Sequence, residues 1–302
     1  TPPAFPEIDA FIAPDSHSFA FKGHMECNWL QALEVGMDPA HASFLHRFFE
    51  DEDVSESFGK QFRGASMGTD LPIAKVLREY ERPEISVDAT GYGLRLTTLR
   101  KLSPGQTHVR ITNVAFPNVF AIPMGPEMTI TQWHVPVDDH NSYWYAIFTS
   151  FAGAVDKQQM REQRLKTIEL PLYNSRKNKR NHYGYDIAEQ QSQTYTGMGM
   201  DINVHDQCAC ESMGTIQDRT REHLGTTDKA IAAYRRMLVD AIDAVQEGQP
   251  LPARPAAGQG GTLSGPPAVD GVTTADAAMQ FCATADLQRR QACDWAAARL
   301  GS

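Results

Sequence analysis

The chain has 302 residues, enough for one large domain or two ordinary ones, and its 41% hydrophobic and 22% charged residues fit a soluble globular protein. A formal net charge of −9 disfavours a nucleic-acid partner, which needs clustered Lys and Arg, and no run approaches the roughly 20 apolar residues of a membrane span. The five cysteines (Cys27, Cys208, Cys210, Cys282 and Cys293) are odd in number and irregularly spaced, with no C-x-x-C, which argues against a disulfide framework or a zinc site and fits reduced cytoplasmic thiols.

The first 22 residues read as an extended interdomain linker, with Pro2, Pro3, Pro6 and Pro14 opposing helix. They lack the basic and apolar regions of a signal peptide. A helix is expected from Glu26 towards Gly36, with Gly36 as its stop, and a second from Asp38-Pro39, an N-cap followed by a good first helical residue. From about 84 to 150 the period turns to alternation. GYGLRLTTLRKL, THVRITNVAF, MTITQWHVPV and SYWYAIFTSF read as strands, divided by turn signals at Ser103-Pro104-Gly105, Gly125-Pro126 and Asp138–Asn141. Links this short suit antiparallel pairing, because parallel crossovers need a dozen or more residues.

Residues 156–170 read as a helix, 171–205 as a polar loop, and 226–247 as a long helix with Ile231, Tyr234, Leu238, Ile242 and Val245 in one stripe. Residues 248–272, rich in Pro, Gly and Ala, read as a linker, and 273–302 as a C-terminal helix. The expected fold is α+β, an antiparallel sheet flanked by helices, with the main domain over 23–247.

Chemistry concentrates in Asp38, His41 and His46, a D-x2-H-x4-H pattern. Two neutral imidazoles and a carboxylate on one face of a metal leave open positions, the arrangement of non-haem Fe(II) sites. In an unbroken helix, however, His41 and His46 point about 140° apart. They share an ion only if the helix breaks or bulges between them. Read by spacing alone, one surface and one packed histidine is the blander account, and a ligand-binding module without chemistry or a zinc hydrolase are rival functions. The absence of H-E-x-x-H and of a Cys-rich site counts against the hydrolase.

The run N-W-x-Q-A-L-E-x-G-x-D-x-x-H-x-S-F-L-H-R, residues 28–47, closely resembles the iron-binding segment of Rieske non-haem iron aromatic ring-hydroxylating oxygenases, in the phthalate dioxygenase-like and aromatic O-demethylase branch. A second block resembles that branch's third-ligand region: Asp201-Ile202-Asn203-Val204-His205-Asp206-Gln207, Glu211-Ser212-Met213-Gly214 and Asp218-Arg219. The resemblance covers roughly residues 15–247 and implies a helix-grip-like catalytic domain of an oxygenase alpha subunit. It makes His41, His46 and Asp206 ligands of a mononuclear Fe(II), with Asp201 the rival to Asp206. It gives Asp38 the part of bridging electron transfer from a neighbouring subunit's cluster. His205 is expected outside the ligand set. Relatives often carry Asn three or four residues before the bridging Asp, where this chain has Glu34 and Val35, so Glu34 is expected in an outer contact or a buried ion pair.

The family's Rieske [2Fe-2S] cluster needs C-x-H and C-x2-H, and neither occurs, so the cluster is expected in an upstream domain beyond the linker-like start. The resemblance further implies a homotrimer, an electron-donating reductase or ferredoxin fed by NAD(P)H, O2, and an aromatic carboxylate substrate. An Arg fork suits such a carboxylate, and Arg63 and Arg110 are the candidates, with Asn113, Phe120 and Trp133 as pocket residues. Dihydroxylation of the ring and O-demethylation stay open alternatives.

Overall fold

The computed structural model describes residues 8–50, 65–251, 265–298 and 300. Its centre is an antiparallel sheet of eight strands: β1 (Ser18–Met25), β2 (Glu84–Thr90), β3 (Gly93–Ser103), β4 (Gln106–Ala115), β5 (Val119–Pro123), β6 (Met128–Pro136), β7 (Ser142–Ser150) and, far along the chain, β10 (Val269–Thr273). The order is β1-β7-β6-β5-β4-β3-β2, and β10 pairs with β4 from Val269↔Ile111 to Thr273↔Thr107. Since β3 runs along one edge of β4 from Ala115 to Gln106, β5 and β10 share the other edge end to end. All three turns marked in the sequence are observed. In the β6–β7 turn, Asp138 Oδ1 accepts from His140 N at 2.8 Å and from Asn141 Nδ2 at 3.0 Å.

Helices cover both faces: α1 (Asp9–Ile12), α2 (Trp29–Met37), α3 (His41–Leu45), α4 (Ile73–Glu79), α5 (Lys157–Thr167), α6 (Ile187–Ser192), α7 (Ile202–Ser212), α8 (Lys229–Gln246), α9 (Ala278–Gln291) and α10 (Asp294–Ala297); two-residue strands β8 (Ile168–Glu169) and β9 (Asn174–Ser175) form a small ribbon. Strand alternation sorts the residues. Leu94, Leu96, Val114 and Phe120 pack with Leu33, Met37 and Tyr234 of α2 and α8, whereas Val109 and Ile111 pack on the opposite face with Ala278, Cys282 and Ala285 of α9.

Several expectations need correction. The stretch 171–205 is not all loop, since it holds α6 and the start of α7, and the second helix begins at His41 rather than at Pro39. The stretch 1–22 is not simply a linker. Residues 9–12 are helical, Asp9 is a buried partner of Arg290 (2.7 Å), and residues 18–25 pair with β7. The stretch 248–272 ends in a strand rather than in linker. There Gly271 is required by packing, since a Cβ would lie 2.5 Å from Phe281 Cε1 of α9. The tail 273–302 is not one helix, because α9 ends before α10 begins. Gly36 does not stop α2, which continues to Met37. Its missing side chain instead lets the Phe120 ring approach, a Cβ there meeting Cδ1 at 3.0 Å.

Candidate metal centre

α2 is capped by Asn28, whose side chain accepts from Leu30 N at 3.0 Å, and ends at Met37. Asp38 turns the chain, Oδ1 accepting from Ala40 N at 2.8 Å, and α3 begins at His41. After Leu45 the helix stops. His46 has left helical geometry (φ −103°, ψ 28°), and the chain runs on as a bridge, Phe48 against Thr194. This early stop resolves the 140° problem. His46 is free to turn towards His41, with ring centroids 5.2 Å apart and planes at 85°. The distortion that the spacing required is a termination, not a π-bulge.

The third group comes from α7. Asp201 caps that helix, accepting from Asn203 N at 3.1 Å, and so is occupied locally. Asp206, in the next turn, sends Oδ1 to within 3.2 Å of His46 Nε2 and 3.8 Å of His41 Nε2. One ligand atom from each of His41, His46 and Asp206 lies within 4.8 Å of the others. The buried Asp206 Oδ1 has no hydrogen-bond partner among the described residues. An orphaned carboxylate oxygen between two imidazole nitrogens fits a bound cation. Burial opposes ionisation of Asp206, but without a metal the attraction of His46 and then His41, in their protonated forms, outweighs it and holds the carboxyl below its usual range.

The outer contacts orient both rings. A carbonyl can only accept, so His41 Nδ1 donates to Asp38 O and presents the Nε2 lone pair to the centre. By the same reasoning His205 Nε2 donates to Gly199 O at 2.8 Å, so its Nδ1 is an acceptor, 3.4 Å from His46 Nδ1. His46 then donates from Nδ1 and also turns Nε2 inward. His205 is thus a fully buried member of the relay Gly199–His205–His46. His205→Phe removes that acceptor, and metal affinity is expected to fall about 10- to 100-fold, the usual cost of losing such a partner. Titration with ferrous ion checks this, and an unchanged dissociation constant defeats the relay.

A cavity of about 240 Å³ opens beside the three groups, small beside the roughly 300–1,000 Å³ of drug-sized pockets and suited to a one-ring ligand. Asp38, His41, His46 and Asp206 form one end of its wall, and Arg110 and Phe120 line it as expected. Asn113 and Trp133 do not. Alternation turns them to the other face, where Asn113 Nδ2 donates to Pro267 O at 2.7 Å and Trp133 meets Phe11 at 5.0 Å between centroids. Arg63 lies outside the described residues. Arg100, Thr98 and Gln132 line the cavity unforeseen, although stepping by two along each strand from Arg110 and Phe120 gives the inward parity that Arg100 and Gln132 share on neighbouring strands.

His134, on β6 nearby, is buried and kept neutral, its pKa pushed down to about 4 by burial against the opposing pull of Asp206. The unfolded chain takes up that proton near the ordinary 6.5 and the folded one does not until about 4. Stability is therefore whole above 6.5 and declines as pH falls through this window, by about 3 kcal/mol for this group. Urea midpoints at pH 7 and 4.5 are expected to differ less in His134→Gln than in the parent. An equal shift contradicts the burial account.

The chain belongs to the family described as LigXa C-terminal domain like, whose model matches residues 3–259. It is 28% identical over 257 residues to the phthalate 4,5-dioxygenase oxygenase subunit of Pseudomonas putida, covering 82% of this chain and 56% of that one. With the phenoxybenzoate dioxygenase subunit alpha of Ectopseudomonas oleovorans it shares 28% over 227 residues, covering 73% and 44%. It therefore spans about half the length of these curated relatives. A structure of dicamba monooxygenase bound to 3,6-dichlorosalicylic acid overlaps it at a TM-score of 0.43 and 12% identity, over 82% of this chain and 64% of that one. The resemblance read from residues 28–47 and 201–219, to Rieske oxygenase catalytic subunits, is borne out by these matches. No helix among the described residues is long and apolar enough to cross a membrane.

Proposed function

We propose that this chain is the iron-bearing catalytic part of a Rieske-type oxygenase that uses O2 to hydroxylate an aromatic carboxylate, by ring dihydroxylation or by O-demethylation. The observation that carries the reading is the meeting of His41, His46 and the unpartnered Asp206 Oδ1 at the head of a one-ring cavity. Ferrous iron, bound by these three, supplies the reductive activation of dioxygen. The chain's own residues do the rest. His41 and His46 present oriented Nε2 lone pairs, and Asp206 offsets charge. Phe120, Ile122 and Ile130 give the aromatic ring an apolar wall that excludes water, and one arginine of the wall meets the carboxylate. Asp38, whose carbonyl orients His41, is the entry point for electrons.

The electrons come from a Rieske [2Fe-2S] cluster on polypeptide outside these residues, recharged from NAD(P)H through a reductase or ferredoxin, in a cytoplasmic homotrimer. Metal analysis of protein prepared anaerobically tests the reading. About one iron per chain is expected in the parent and almost none in His46→Ala. Equal iron content in the two proteins overturns it.

A further inference from the structure

The cavity wall carries two neighbouring arginines in very different electrical states. Arg110 is already spent. Nη1 donates to Asp270 Oδ2 at 3.1 Å and Nη2 to Pro123 O at 2.8 Å, and Asp270 is fully buried, directly opposite Arg110 across the β4–β10 pair. A guanidinium paired with a buried carboxylate is a neutral unit that offers little to a second anion. Arg100, on β3, is 1% exposed and bonds only to neutral acceptors, Nε to Tyr80 O at 3.1 Å and Nη2 to Pro39 O at 3.0 Å. Nη1 is buried and has no partner among the described residues, and no carboxylate there pairs with Arg100. The third wall arginine, Arg164, lies 3.7 Å over the Phe21 ring, near the charge of Asp201.

A buried cation on the wall of a ligand cavity, with an idle donor and no counter-ion among the described residues, suits an anion that arrives with the ligand. We infer that Arg100, and not Arg110, is the anchor for the substrate's charge, and that Asp270 restricts the site to a single carboxylate, so that the chain selects an aromatic monocarboxylate over a dicarboxylate. Asp270 lies beyond the matched family segment, on the strand that the chain's last third inserts into the sheet. Specificity is set by that late strand. Because Arg100 also holds Pro39 O, the carboxylate rests on the wall beside the loop that carries Asp38 and His41, and its ring extends into the apolar part of the cavity.

The inference rests on the oxygenase reading for its meaning but not for its test. Benzoate, phthalate and benzamide are titrated calorimetrically into the 302-residue chain, and iron content is measured on the same samples. Benzoate is expected to bind at least about tenfold more tightly than either of the others. Arg100→Gln is expected to lose about tenfold or more for benzoate while benzamide stays within about twofold, and Arg110→Gln to keep benzoate within about threefold. Asp270→Asn is expected to raise phthalate affinity relative to benzoate, its melting temperature confirming that it folds. Arg100→Lys, which keeps the charge without the fork, should fall between the parent and Arg100→Gln. Phthalate binding as tightly as benzoate to the parent overturns the inference, as does an Arg100→Gln chain with undiminished preference for benzoate over benzamide. Benzoate selectivity without iron would sink the oxygenase reading and leave the anchor standing, and iron without selectivity would do the reverse.

Discussion

Replacing Asp206 by alanine is expected to weaken ferrous binding by more than about 100-fold, since outer partners of metal ligands alone are worth 10- to 100-fold. Among the described residues the carboxylate provides the only negative charge grouped within 4.8 Å of both imidazole nitrogens, and its Oδ1 has no competing hydrogen bond. Removing it leaves two neutral donors, a poor match for a divalent ion. Asp206→Asn keeps the shape but loses the charge and should bind almost as poorly. The contrasting variant is Asp38→Asn. Asp38 holds His41 through its backbone carbonyl, which the substitution preserves, and Asn can still accept from Ala40 N. Iron is expected to remain in Asp38→Asn, while turnover of the full-length enzyme slows. Equilibrium dialysis against ferrous ion separates the two cases. An Asp206→Ala chain that retains iron like the parent rules out the three-residue centre, and full turnover in Asp38→Asn removes the electron bridge.

Much of this was legible in the sequence because it is local. The strands at 93–103, 106–115, 128–136 and 142–150 announce themselves by alternation and by the turn residues between them, and the helix 229–246 by its single apolar stripe. The two motif blocks were legible as a family pattern, not as geometry. Nothing in the spacing of His41 and His46 says that α3 ends after Leu45, because that stop depends on the distant pairing of Phe48 with Thr194. The parity of Asn113 and Trp133 was misjudged for the same kind of reason. Alternation says that two neighbours face opposite ways, but not which face holds the cavity. Strand β10 was hidden deepest. Its glycine suggests a flexible tail, and only the α9 ring that crosses it explains why glycine stands there.

Glu34 should carry the largest stability effect away from the metal. Its buried carboxylate accepts from Arg235 at 2.7 and 2.9 Å and from Arg219 at 2.6 Å, and Glu222 bridges the same two arginines, bonding Arg219 at 3.2 Å. Hydrogen bonding from Arg235 pulls Glu222 down to about 2, so Glu222 stays ionised far into acid. It clamps α2, which leads into the Asp38–His41 turn, to α8 and to the segment following α7. Breaking a buried pair by deleting one partner costs about 3–5 kcal/mol, and because Glu222 still serves both arginines, Glu34→Ala should fall at the lower end, about 3 kcal/mol. For a domain of this size that lowers the melting temperature by about 6–12 °C. Glu34→Gln keeps the volume and some of the hydrogen bonds, and should lose about half as much. Since none of these contacts reaches the metal ligands, ferrous affinity at low temperature should hold within about threefold, the network acting on the frame and not on the donors. A thermal scan of the metal-free chains decides the matter: a Glu34→Ala transition within a degree or two of the parent would mean that the clamp contributes no net stability.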